Sequence, residues 1–200
     1  MRLTQAVLVV ADISGYTDFI TNREVSLLHA EQIITDLLES MLDRTEHPLI
    51  ANKLEGDAAL LYAEHAEGEA GAAVRDALVQ VRALFEAFGS RLRKIGEERA
   101  NCGCEACANI SRLCLKAFVH RGEIAVKQVR QFEELAGEPV ILVHRLMKNG
   151  VPLREYVLLS DEAARHAGLR QGVGRTHRET LEGMGERDLV LVSPADLAGP

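Results

Sequence analysis

Six consecutive apolar residues, Ala6-Val7-Leu8-Val9-Val10-Ala11, run uninterrupted into Asp12-Ile13-Ser14-Gly15-Tyr16-Thr17. Such a run has no polar side to turn to water, so it reads as a central strand covered on both faces. Covering helices are legible further on. Ile33, Ile34, Leu37, Leu38, Met41 and Leu42 recur on one face at helical spacing. So do Val74, Ala77, Leu78, Val81, Phe85, Phe88, Leu92 and Ile95, in a longer helix expected over residues 69–95 and closed by Gly96.

Other segments supply more strands. Leu49-Ile50-Ala51-Asn52-Lys53 and Ala58-Ala59-Leu60-Leu61-Tyr62 flank Leu54-Glu55-Gly56-Asp57, which has hairpin composition. Leu113, Leu115, Ala117 and Val119 alternate with Cys114, Lys116, Phe118 and His120, the period of a strand with two different faces. His120 there reads as a packed, hydrogen-bonded histidine. Arg121-Gly122 is expected to turn this strand into a second one over 123–129. A helix starts after Gly137-Glu138-Pro139 and runs through Arg145, with Pro at its favoured first position. The tail predicts a strand at 156–159, a short helix at 161–167 and a last strand at 189–192. The sum is an α/β (α+β) fold, a mixed sheet with covering helices.

Length and charge narrow the class. At 200 residues the chain suits one domain spanning 1–200. Apolar residues at 47% and charged ones at 26% are ordinary globular usage. Acidic residues exceed basic ones by 30 to 23, a net charge of -7 that disfavours polymeric nucleic acid as a partner. No apolar run approaches the roughly 20 residues that span a bilayer, and the N-terminus lacks a signal-peptide shape. A cytoplasmic protein with no membrane partner is expected.

The four cysteines are unusual: Cys102, Cys104 and Cys107 fall within six residues, with Cys114 seven further on. In such a chain this clustering suggests metal or redox chemistry rather than a disulfide scaffold. Three readings stay open. Cys104-Glu105-Ala106-Cys107 is a zinc knuckle, to which Cys102 and Cys114 would add ligands for a structural Zn2+. Close thiols also exchange readily, which suits a redox role. Alternatively the loop carries free thiols, and Cys114 is a small buried strand residue.

Two carboxylates are placed to meet: Asp12 at the end of the first strand and Asp57 in the hairpin turn. Magnesium takes hard oxygen ligands, usually one or two carboxylates plus substrate phosphates. A carboxylate at either position is also a common turn or capping residue.

The surrounding residues resemble a known family. Asp12-Ile13-Ser14-Gly15-Tyr16-Thr17 and Lys53-Leu54-Glu55-Gly56-Asp57-Ala58 are similar to the D-I-x-G-F/Y-T and K-x-x-G-D-A elements of the class III nucleotidyl (adenylate/guanylate) cyclase catalytic domain. Val119-His120-Arg121-Gly122-Glu123-Ile124 resembles its I-H-x-G-x-V hairpin. Gly137-Glu138-Pro139-Val140-Ile141-Leu142-Val143-His144-Arg145-Leu146 resembles its G-x-x-V-N-x-A-x-R-L/M helix. Within that family the resemblance implies an uncharacterised bacterial cyclase-like subgroup. The resemblance implies a ferredoxin-like mixed sheet core, with the cysteine stretch at about 99–111 as an added loop.

The resemblance also implies site roles. Asp12 and Asp57 match the aspartates that hold two Mg2+ or Mn2+ ions. Ile13, Ser14, Gly15, Tyr16 and Thr17 match the segment that cradles phosphate. Lys53 and Glu134 fall at the base-recognising positions, which favours adenine, and Lys116 at a triphosphate contact. Arg145 matches the arginine that stabilises charge at the α-phosphate. The implied reaction is ATP to cyclic AMP plus pyrophosphate, at two equivalent sites shared across a homodimer.

Two positions depart from the family: Ile141 replaces a ribose-orienting asparagine, and Met184 a phosphate-binding lysine. They motivate two alternatives: a catalytically degenerate nucleotide- or metal-binding signalling module, and a zinc- or redox-sensing dimer with a vestigial cyclase site.

Overall fold

The computed structural model describes residues 1–21, 27–169 and 173–197. The apolar N-terminal run extends into a long strand, β1 (Arg2–Ser14), followed by a short helix α1 (Tyr16–Thr21) and α2 (Leu27–Leu42). A hairpin, β2 (Ile50–Glu55) and β3 (Ala58–His65), leads into the long helix α3 (Ala70–Glu98). Then come α4 (Glu105–Ala108), a 3-10 turn at Ile110–Arg112, β4 (Cys114–Val129), β5 (Phe132–Ala136) and α5 (Glu138–Leu146). The chain continues through β6 (Tyr156–Ser160), α6 (Asp161–Ala167), β7 (Arg175–Leu181), β8 (Gly185–Val192) and a 3-10 turn at Pro194–Leu197.

The strands form one 8-stranded sheet in the order β2-β3-β1-β4-β6-β8-β7, with β5 paired to β4. Among the described strands only β4 and β6 pair in parallel, so the sheet is mixed. β1 is central and buried on both faces, as its uninterrupted apolar run requires. Val7, Val9, Ala11 and Ile13 pack under α2, α3 and α6, against Ile33, Leu37, Val74, Val81 and Ala163. Ala6, Leu8 and Val10 face the other way, toward Leu142, Val143 and Leu146 of α5. Among the described residues no helix is long and apolar enough to cross a membrane.

Several expectations need correction. The long helix does not close at Gly96: α3 runs through it to Glu98. The turn expected at Arg121-Gly122 is absent: β4 is one strand of 16 residues, and Arg121 and Gly122 pair with Val7 and Ala6 of β1. Gly122 serves packing instead, because a Cβ there would lie 2.5 Å from Pro139 Cγ. The cysteine stretch is not wholly irregular, since it holds α4 and the following 3-10 turn. β5 and β7 were not foreseen. β7 is an edge strand whose sequence, Arg175-Thr176-His177-Arg178-Glu179-Thr180-Leu181, is polar on both faces up to the buried Leu181, so no apolar alternation announces it.

Candidate functional site

Side chains alternate along a strand, so Asp12 continues the row of Ala6, Leu8 and Val10 on the α5 side of the sheet. Its partners across the neighbouring strands are Lys116 on β4 and Ala58 on β3. Asp57 occupies the two-residue turn closed by the Glu55–Ala58 pair. Gly56 supplies the positive φ, 68°, that this tight hairpin needs at its first turn position. The Asp57 carbonyl accepts a hydrogen bond from the Ile13 N–H at 3.1 Å, which fastens the turn to the end of β1. Gly15, at φ 94°, then bends the chain from β1 into α1.

These elements enclose a cavity of about 350 Å³ lined by Asp12, Asp57, Lys116 and residues 13–17. Burial raises the Asp12 carboxyl to about 6; the charge of Asp57 pushes the same way, and Lys116 opposes both. Burial also raises Asp57. The Lys116 ammonium lies 5.5 Å from the ring centroid of Tyr156. Two partly desolvated carboxylates that together outweigh one lysine form a hard-oxygen donor set suited to a divalent cation.

A second group lies on β2, β5 and α5. Lys53 Nζ is 3.5 Å from Glu134 Oε2 and 3.3 Å from Glu55 Oε1. Glu55 Oε2 is in turn 2.8 Å from His144 Nε2, and His144 Nδ1 is 2.7 Å from the Val140 carbonyl oxygen. Glu133 accepts from the Tyr62 hydroxyl at 2.7 Å. Arg145 donates to Glu182 at 2.6 Å and lines a different cavity, of about 340 Å³, with Val140, Ile141, His144 and Lys148. That cavity shares no lining residue with the one around Asp12 and Asp57. Ile141 is 55% exposed on the outer face of α5, while Met184 packs against the apolar cluster beneath it. Glu55 and His144, which link β2 to α5, escaped sequence reasoning because their contact spans 89 residues.

The cysteines divide three to one. Cys102, Cys104 and Cys107 gather with His29 of α2 in a group able to hold a metal ion. Cys114 stands apart on β4 opposite Ser14, with its Sγ 3.8 Å from the Arg112 carbonyl oxygen. The Cys107 N–H donates to Cys104 Sγ at 3.5 Å and is the main reason that the Cys104 thiol is lowered to about 6. Burial pushes Cys107 up to about 11.

A larger cavity, of about 640 Å³, lies elsewhere, between β4, α5, α6 and β8. Its three arginines are each paired with a carboxylate of the lining: Arg121 with Glu162 at 2.6 Å, Arg165 with Asp161 at 3.0 Å and Arg187 with Glu138 at 3.7 Å. His120 borders it, buried and held by Ser160 at 2.8 Å, and burial lowers its imidazole to about 4. A neutral imidazole and arginines already paired with carboxylates give an anionic ligand little to bind there.

Known proteins resemble this chain in two ways. The family described as protein of unknown function (DUF2652) matches residues 34–156. An uncharacterised protein of Mycobacterium tuberculosis, Rv2561/Rv2562, is 38% identical over 131 residues, which cover 66% of this chain and 58% of that protein. In structure, the adenylyl cyclase CyaB of P. aeruginosa superposes with a TM-score of 0.69 at 14% identity, over 96% of this chain and 95% of its own. The guanylyl cyclase Cya2 gives 0.70 at 15% identity, over 96% and 92%. The chain therefore belongs to the DUF2652 family and has the fold of the class III nucleotidyl cyclases.

Proposed function

We propose that this cyclase-like protein converts ATP to cyclic AMP and pyrophosphate at two equivalent sites in a homodimer. The observation that carries the proposal is the single cavity joining Asp12, Asp57, Lys116 and residues 13–17 at the end of the central strands. The two carboxylates fit divalent cations because they are partly desolvated and raised in pKa, so a bound ion would relieve a charge that Lys116 only partly offsets. Two Mg2+ or Mn2+ ions held by Asp12 and Asp57 would supply Lewis-acid activation of the ribose 3′-oxygen and neutralise phosphate charge.

The chain's own residues divide the remaining work. Lys116 contributes a fixed positive charge beside the phosphates, and residues 13–17 contribute the turn that positions them. Lys53 and Glu134 hold a donor and an acceptor side by side, which suits the acceptor and amino donor on the Watson–Crick edge of adenine. Arg145 would stabilise charge at the α-phosphate. Its separate cavity supports assembly of the site from two copies, with Asp12 and Asp57 of one facing Arg145 of the other.

A second reading has its own support. Ile141 offers no hydrogen bond to a ribose, and Met184 packs into apolar surroundings. Both fit a nucleotide-binding signalling module that no longer cyclises. The deciding experiment incubates purified protein with Mg2+ or Mn2+ and each of ATP, GTP, CTP and UTP, with Asp57→Ala as control. Cyclic AMP formed by the native chain and lost in Asp57→Ala is expected. No cyclic product in any combination contradicts the enzyme, and tight nucleotide binding in that inactive protein would then support the module.

A further inference from the structure

Three cysteines and a histidine that the nucleotide site does not use converge on one point. His29 comes from the first turn of α2, and Cys102, Cys104 and Cys107 from the connection between α3 and β4. All four donor atoms lie within 4.8 Å of one another. His29 Nδ1 is 3.4 Å from Cys104 Sγ, 3.6 Å from Cys102 Sγ and 4.0 Å from Cys107 Sγ, and the sulfurs of Cys102 and Cys104 are 3.6 Å apart.

A zinc tetrahedron, with Zn–S of about 2.3 Å and Zn–N of about 2.0 Å, has edges of about 3.8 Å between sulfurs and about 3.5 Å between sulfur and nitrogen. The four separations fall within about half an ångström of those edges, whereas a sulfur–sulfur bond needs roughly 2.0 Å. The spacing is that of ligands around a shared centre.

We infer that His29, Cys102, Cys104 and Cys107 bind one structural zinc ion. Soft thiolates with an imidazole in tetrahedral array select zinc, while the hard oxygens of the Asp12 cavity suit magnesium or manganese. Four protein donors complete the tetrahedron and leave no open position for substrate, so the site is structural. The supporting shell is in place. The Cys107 N–H donates to Cys104 Sγ, and Ala106 between them is fully buried, which fixes how the knuckle presents its sulfurs.

The ion would tie together segments 73 residues apart, and both border the loop after β1. On one side, Glu31, two residues beyond His29, accepts from the Tyr16 hydroxyl at 3.3 Å. On the other, the Arg112 carbonyl oxygen, which accepts from Arg154, lies 3.3 Å from where a Cβ on Gly15 would be. Zinc thus positions residues 14–17 from two directions. The site stands on its own geometry and would hold whether or not the Asp12 cavity binds a nucleotide.

Metal analysis of the full chain purified without chelator tests this directly, with about one zinc per chain expected. His29→Ala should lose that equivalent, His29→Cys should retain it, and Cys114→Ser should leave it unchanged. Protein reconstituted with Co2+ alone should show strong visible bands of tetrahedral cobalt and a near-ultraviolet thiolate-to-cobalt band. Less than about half a zinc per chain, without the thiolate band, overturns the site. So does zinc lost in Cys114→Ser but kept in His29→Ala. If His29→Ala fails to fold, the wild-type cobalt spectrum decides: tetrahedral thiolate bands support the site, and weak octahedral bands overturn it.

Discussion

Asp12 stands directly opposite Lys116 in the pairing of β1 with β4, and yet its carboxyl remains raised to about 6. Burial and the nearby Asp57 outweigh the lysine. The unfolded carboxyl titrates near 3.8, so between that value and about 6 the folded chain holds a proton that the unfolded chain has released. Stability therefore falls as pH rises through this window and levels off above it. Asp12→Asn removes the desolvated charge. Its metal-free melting temperature at about pH 8 should exceed the native one by roughly 2–4 °C per kcal/mol relieved, with little difference at about pH 4. Mn2+ competes with the proton, so it should raise the native melting temperature more at about pH 8 than at about pH 5. Thermal unfolding with and without Mn2+ measures both effects.

Gly122→Ala should be costly, because its Cβ would meet Pro139 Cγ at 2.5 Å, where α5 crosses β4. A loss of about 1–3 kcal/mol is expected in denaturant unfolding. Gly89→Ala in α3 should do the reverse: its Cβ would lie 3.5 Å from a guanidinium nitrogen of Arg93, and alanine gains about 0.5–1 kcal/mol in a helix.

Glu134→Ala leaves Lys53 with Glu55 as its remaining acidic partner. If the Lys53–Glu134 pair reads the base, preference for ATP over GTP should fall by roughly ten-fold, about 1.4 kcal/mol, in competitive binding. Affinity for inorganic pyrophosphate, which has no base, should not change.

Removing zinc should loosen what the ion positions. Hydrogen exchange should speed up at residues 14–17, in the first turn of α2 and across α4, while β8, two strands beyond β4 in the sheet, keeps its protection. Returning one equivalent of zinc should restore the slow pattern.

Elements with strong periodicity could be read before any coordinates. The apolar run of β1 and the striped faces of α2 and α3 announce themselves because burial leaves a repeat in the residue order. The β2–β3 turn shows through Gly56, which its positive φ demands. Gly122 misled because a glycine marks either a turn or a close approach, and only the path of α5 over β4 distinguishes them. His29 was hidden for a related reason. It lies 73 residues from Cys102, and Cys114 looked like the nearer fourth ligand until β4 carried it away from the knuckle. The same holds for Glu55 with His144: neither position signals the other until the sheet brings β2 beneath α5.

The separation of Arg145 from Asp12 and Asp57 within one chain gives the most direct test of a shared catalytic site. Asp57→Ala and Arg145→Ala should each abolish cyclic AMP formation alone. Co-expressed under different tags, they should form mixed dimers with one intact site each. About a quarter of native activity should return at equal amounts with random pairing. No recovery in isolated mixed dimers, alongside an active native protein, would contradict a site shared between two copies, and an inactive native protein would contradict the cyclase itself.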